Sequence, residues 1–195
     1  MNNDNKNNID KQLLLDLRYL RMARIWAENS YCQRRKVGAL VVKHNTIISD
    51  GYNGTPSGFE NVCEDEHNVT LPYVLHAEAN AITKLARSSN NSEGSTLYVT
   101  ASPCIECSNL IIQAGIKRVV YAEKYRLEDG LQLLRKANIE VIYIFLLKLV
   151  YISDKKVFFT INNIYYFIDQ QCLSATRITR NNVRSFFKYR LNLKN

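Results

Sequence analysis

Tyr73-Val74-Leu75-His76-Ala77-Glu78-Ala79-Asn80-Ala81-Ile82 and, further along the chain, Ser102-Pro103-Cys104-Ile105-Glu106-Cys107 are the stretches around which the remaining residues arrange themselves. Each reads as the opening of a helix. Cys104 and Cys107, three apart, fall on one side of a first helical turn, so both sulfurs reach one ion. Pro103 suits a helix start, where a missing N–H costs nothing. His76 offers a third, neutral donor.

One imidazole and two thiolates leave one corner of a zinc tetrahedron open for water, which is the pattern of a catalytic ion and not of a structural one. Two thiolates cancel the charge of the ion, so the water needs further help to ionise. The positive ends of two helix dipoles would supply some of it. Glu78 stands two residues from His76, too near to ligate comfortably beside it but well placed to move protons at the open corner. C-x-x-C alone fits a redox pair or half a zinc knuckle equally well. An H-x-E followed by P-C-x-x-C is the recognised signature of zinc-dependent nucleobase deaminases.

Reading outward, Ile9 to Ser30 has the spacing of a helix, with Leu13, Leu17, Leu20 and Ala23 on one stripe. The preceding residues, Met1 to Asn8, are polar and read as loose. Lys36–Lys43 and Thr46–Asp50 read as antiparallel strands joined at His44-Asn45. Gly51-Tyr52-Asn53-Gly54-Thr55-Pro56-Ser57-Gly58 follows as a loop whose backbone can approach a ligand closely, with Asn53 able to donate to and accept from a sugar or base edge. An irregular, acidic insert, Phe59 to Pro72, carries Cys63 and His67. After the H-A-E helix come a strand at Thr96–Thr100, the P-C-x-x-C helix ending at Ala114-Gly115, and a strand at Arg118–Tyr121. A helix at Glu128–Ala137 and a strand at Glu140–Phe145 complete the series. Strands alternating with helices predict a layered α/β sheet.

With 195 residues, 46% of them hydrophobic, the chain can bury a core. The net charge of +8 suggests nucleic acid, but its distribution argues against it. Residues 1–145 carry 17 basic and 16 acidic side chains, residues 146–195 carry 9 and 2. Five cysteines without an apolar export segment point to a cytoplasmic protein that uses thiols for metal chemistry and not for disulfides. No apolar run is long enough to suggest a membrane partner.

Residues from about Leu13 to Ile144 resemble the deoxycytidylate (dCMP) deaminases of the cytidine deaminase superfamily. The resemblance rests on Lys36-Val37-Gly38-Ala39, the G-Y-N-G-x-P-x-G loop, His76-Ala77-Glu78, Asn80-Ala81-Ile82 and Thr96–Thr100. It continues through Ser102–Cys107 and Ile111-Ile112-Gln113-Ala114-Gly115-Ile116-Lys117. It implies a three-layer α/β/α fold with a central mixed five-stranded sheet, one catalytic Zn²⁺ per subunit held by His76, Cys104 and Cys107, and Glu78 as the catalytic proton carrier. The implied reaction is dCMP to dUMP, supplying thymidylate synthesis, with substrate contacts at Asn53, Ala77 and Ser102. It further implies a homo-oligomer, often a hexamer, and dCTP and dTTP as effectors. Candidate nucleotide or effector contacts are Gly51, Tyr52, Gly54, Pro56, Arg34, Arg35, Arg87, Tyr125 and Arg126. Some phage relatives hold a second, structural zinc with ligands from regions that here contain Cys32, Cys63 and His67; isolated buried thiols are the other reading of these cysteines.

The resemblance stops near Ile144, so residues 1–145 read as the deaminase domain and 146–195 as an extension. Within the extension, Val157–Ile161 and Ile164–Ile168 suggest a hairpin about Asn162-Asn163, and Thr176–Asn195 is basic with interleaved aromatics. Competing functions are a tRNA adenosine deaminase, another cytidine or nucleobase deaminase, and a nucleic-acid-binding module with a structural zinc. The near-neutral charge of residues 1–145 speaks against a polyanionic substrate.

Overall fold

A computed structural model describes residues 3–125 and 127–144, with side chains from Lys11 onward, and the backbone of residues 148–153, 156–161 and 164–169. The chain divides into two compact units, Met1–Phe145 and Leu146–Asn195.

In the first unit, helix α1 (Asn3–Trp26) and a 3-10 turn (Ala27–Asn29) precede the hairpin β1 (Gly38–Lys43) and β2 (Thr46–Tyr52). His44 and Asn45 take φ of 49° and 60°, the left-handed pair that a two-residue hairpin turn requires. Then come α2 (Ala77–Leu85), β3 (Thr96–Ala101), α3 (Ile105–Gln113), β4 (Arg118–Glu123), α4 (Asp129–Lys136) and β5 (Glu140–Tyr143). The sheet order is β2-β1-β3-β4-β5. β1 is antiparallel to β2 and β3, whereas β3, β4 and β5 run parallel, so the sheet is mixed and five-stranded as expected.

Strand alternation divides the core into two faces. Ala39, Val41, Leu97, Val99, Val119 and Tyr121 meet Ala77, Ala81 and Leu85 of α2, Ile111 of α3, and Leu131 and Leu134 of α4. Through the opposite face Tyr98 hydrogen-bonds Asp16 of α1. A Cβ on Gly38 would run into the Ala23 backbone carbonyl, so α1 rests directly on β1 there. Helices thus cover both faces, giving the α/β/α layering. Gly115 ends the α3 segment at φ 71°, as its sequence position suggested.

Two local expectations are revised. Helix α1 begins at Asn3, because adding residues to an established helix fixes little new backbone per hydrogen bond gained. Pro103 lies before α3, whose N-cap is Cys104. An X-Pro step favours extended backbone at the residue before it, so Ser102 leaves β3 without turning.

In the second unit, β6 (Lys148–Ser153), β7 (Lys156–Ile161) and β8 (Ile164–Asp169) form an antiparallel sheet. Ile161 pairs with Ile164, which bears out the hairpin. Asn162, Asn163 and the basic stretch Thr176–Asn195 lie outside the described residues. Among the described residues no helix is long and apolar enough to cross a membrane.

Candidate metal and active site

His76 reaches the site because its approach is pinned by Gly54. The two backbones exchange hydrogen bonds at Gly54 and Leu75 (Gly54 N to Leu75 O, 3.1 Å; Leu75 N to Gly54 O, 2.8 Å), which delivers His76 as the extended N-cap of α2. Its ring makes no capping hydrogen bond. The helix's first N–H groups therefore lack a side-chain cap, and their positive end is left beside the site. Helix α2 crosses β2 so closely that a Cβ on Gly51 would lie 2.6 Å from the Ala81 nitrogen. Gly51, Ala77 and Ala81 are small for this reason, and the close crossing sets the depth at which Glu78 sits in the first turn.

Cys104 opens α3 in the same way. Its Sγ accepts from the Cys107 amide at 3.5 Å, and the Ser108 amide and hydroxyl both donate to its carbonyl, at 2.9 and 2.8 Å. The turn is fixed from behind by α4, where a Cβ on Gly130 would stand 2.7 Å from the Cys104 carbonyl oxygen and 2.8 Å from its carbon.

His76 Nδ1 lies 3.4 Å from Cys104 Sγ and 3.4 Å from Cys107 Sγ. The three donor atoms lie within 4.8 Å of one another. Zinc bonds of ordinary length imply a tetrahedral N···S edge of about 3.6 Å, so the residues present fit this ion. No other group of three or more such ligands assembles among the described residues. The hydrogen bond with Cys107, then that with His76, holds the Cys104 sulfur far down, at about 3, against burial. Cys107, hydrogen-bonded to that sulfur and buried, is pushed up. His76 is raised by its hydrogen bond to Cys104, which outweighs burial.

Glu78 is 4% exposed. Burial pushes its carboxyl up to about 6, despite the opposing pull of His76. A carboxyl so placed both accepts and returns protons near neutrality. It lines, with His76, Ala77, Cys104, Asn53 and Ser102, a cavity of about 520 Å³ at the carboxyl ends of β3 and β4.

Asn53 and Ser102 are both part of the frame. Asn53 Oδ1 accepts from Val37 N at 2.7 Å and Nδ2 donates to Arg35 O at 2.8 Å, so two of its four hydrogen-bonding positions brace the Arg35–Val37 loop. Ser102 Oγ accepts from Tyr125 N at 2.7 Å, leaving the hydroxyl proton to donate elsewhere. Arg34, Arg35 and Tyr125 line the cavity, together with Lys124, Glu64 and Thr70, which the sequence reading missed. The Tyr125-Arg126 pair pointed to that loop, but Glu64 and Thr70 gave no signal inside the insert. Tyr52, Gly54 and Pro56 line a separate cavity of about 440 Å³ on the other side of their loop. Arg87 is exposed in the turn after α2, and Arg126 lies outside the described residues.

Neither reading of Cys32, Cys63 and His67, a second zinc set or isolated thiols, is met. Cys32 and Cys63 form a disulfide, which also corrects the expectation of metal chemistry over disulfides for this pair. The insert folds back through the Glu64–Thr70 bridge and a Leu71 N to Cys63 O hydrogen bond, carrying Cys63 to Cys32. His67 stays outside, with Glu66 at 3.5 Å.

The model for the cytidine and deoxycytidylate deaminase zinc-binding region matches residues 15–123. The deoxycytidylate deaminase of Enterobacteria phage T4 is 35% identical over 165 residues, covering 63% of this chain and 86% of that protein. That of Saccharomyces cerevisiae is 35% identical over 136 residues, covering 65% of this chain but only 43% of the yeast protein. Among solved structures, dCMP deaminase from the cyanophage S-TIM5, in complex with dCMP and dUMP, superposes with a TM-score of 0.64 at 43% identity. That match covers 74% of this chain and 99% of the phage chain.

Proposed function

Because the chain belongs to the cytidine and deoxycytidylate deaminase zinc-binding family, we propose that it hydrolyses dCMP to dUMP and ammonia. The observation that carries this reading is a buried carboxyl, Glu78, beside three converging N and S donors at a cavity rimmed by Arg34, Arg35 and Lys124. The S-TIM5 protein, bound to dCMP and dUMP, supports the substrate class.

His76, Cys104 and Cys107 would hold zinc, which when bound supplies a Lewis acid that makes water a nucleophile at neutral pH. Glu78 accepts the proton that water releases and passes it to the ring nitrogen N3 as oxygen bonds to C4. A second proton carried by Glu78 reaches the amino group; the C4–N bond breaks, ammonia leaves and the carbonyl forms. Ala77 packs α2 against β2, Ser102 holds the Tyr125 backbone, and Asn53 presents its remaining donor and acceptor to the sugar. Arg35 and Arg34 offer guanidinium forks to the 5′-phosphate.

Self-association and a response to dCTP and dTTP belong to the same reading. The cavity beside Tyr52, Gly54 and Pro56 is a second place of nucleotide size, separate from the catalytic one. The deciding experiment offers dCMP, CMP, deoxycytidine and a tRNA anticodon stem to the zinc-loaded protein, with and without dCTP and dTTP. Turnover of dCMP well above the others is expected. Preference for the RNA stem, or for the nucleoside, would overturn the assignment.

A further inference from the structure

Arg35, which lines the cavity, ends a chain of ion pairs that runs through Glu123 to Arg24. Glu123, at the end of β4, takes Arg24 Nη2 of α1 on Oε1 at 2.9 Å and Arg35 Nη2 on Oε2 at 3.0 Å. The Arg35 guanidinium lies 5.7 Å over the Tyr125 ring, within cation–π range. The backbone beneath is tied in as well, since Ser102 N donates to Glu123 O at 2.8 Å and Tyr125 N to Ser102 Oγ at 2.7 Å.

The three charged side chains are 32–49% exposed. Ion pairs so exposed contribute little to stability, so the arrangement needs another explanation. Two guanidinium cations against one carboxylate leave one net positive charge. Arg24 offsets the carboxylate, so Glu123 can hold Arg35 without presenting an unbalanced negative charge to an incoming anion. Arg35 has five N–H donors, and the pairing with Glu123 commits only Nη2 of them.

We propose that Glu123 is a positioning residue. It aims Arg35 at the phosphomonoester of the substrate, with Arg24 as its counterion. This rests on the reading of dCMP as substrate. Charge alone and positioning predict opposite signs. Glu123→Gln makes the mouth more positive, which by attraction alone would tighten a phosphate; loss of aim would loosen it.

The test compares kcat and KM for dCMP and deoxycytidine, which differ only in the phosphate, in the zinc-loaded wild type, Glu123→Gln, Arg24→Gln and Arg35→Gln. Losing a hydrogen bond to a charged group corresponds to a loss of about 10- to 100-fold, expected in full for Arg35→Gln. For Glu123→Gln the preference for dCMP over deoxycytidine falls about tenfold, carried by KM and not by kcat, and Arg24→Gln falls less. An unchanged or lower KM for dCMP in Glu123→Gln overturns the proposal, and so does an equal loss on both substrates. A wild type that shows no preference for dCMP over deoxycytidine instead removes the substrate reading, and the inference with it.

Discussion

Arg118 on β4 meets both carboxylate oxygens of Asp16 on α1, Nη1 to Oδ1 at 2.8 Å and Nη2 to Oδ2 at 2.7 Å. Tyr98 donates to the same Oδ1 at 2.8 Å. The pair is almost wholly buried, with side chains 15% and 4% exposed, and it fixes α1 to the sheet across 102 residues of sequence. Removing Asp16 leaves Arg118 only its pairing with Glu140 (Nε to Oε2, 3.1 Å), and the cost approaches the about 3–5 kcal/mol of a broken buried pair. Asp16→Ala should therefore lower the urea midpoint sharply while leaving the zinc ligands untouched.

The same pair sets an acid dependence. Burial alone would raise the Asp16 carboxyl, but hydrogen bonds from Arg118, Gln12 and Tyr98 outweigh it and hold it below its ordinary value. A carboxyl depressed in the folded state contributes its stability above the unfolded pKa and loses it as pH falls through the folded one. Unfolding free energy should thus decline from about pH 4 downward, and that part of the decline should be missing in Asp16→Asn.

Glu78→Gln keeps the size of the side chain and removes its capacity to carry protons. Zinc content and circular dichroism should match wild type, while kcat falls by about 10²- to 10⁴-fold. Turnover within a few-fold of wild type would remove Glu78 from the mechanism.

Gly130 lies outside both motifs yet governs one of them. A methyl group there meets the Cys104 backbone at 2.7–2.8 Å, closer than real Cβ atoms approach, so the turn carrying the sulfur must shift. Gly130→Ala should cost about 1–3 kcal/mol and lower the zinc retained after dialysis against a chelator. Gly58→Ala is the comparison: its Cβ would meet nothing within 4 Å, although its φ of 92° adds local strain, and its zinc retention should be unchanged.

The Cys32–Cys63 link closes a loop with a sequence separation of 31. A loop of that length constrains the unfolded chain by roughly 3–4 kcal/mol in the entropic account. Tryptic digestion without reductant should yield the two cysteine peptides joined, and Cys63→Ser should melt lower than wild type. Two separate free-thiol peptides in protein purified under air would refute the link.

How far the sequence could be read depended on how local each feature is. The ligand set of His76, Cys104 and Cys107 was legible because two helix starts fix it, one carrying His76 and the other both cysteines. The His44-Asn45 turn and the Gly115 terminator were legible because residue type dictates their backbone. Arg24 and Glu123, 99 residues apart, gave no signal, since nothing near either announces its partner. The Cys32–Cys63 disulfide was misread for the same reason: a cysteine count cannot tell which thiols the insert will carry together. The support that Asn53 gives the Arg35–Val37 loop was not legible, because it depends on where that loop returns. Pro103 was misplaced by two positions, ahead of the N-cap and not at the first helical residue, because the N-cap went to Cys104.

His76 and Cys104 each head a different helix, with β3 between them in the chain. An ion gripped by both would act as a cross-brace between the two helix starts. Chains folded amiss would then fail to load metal at all, so a preparation should divide into competent and inert molecules and hold few of middling activity.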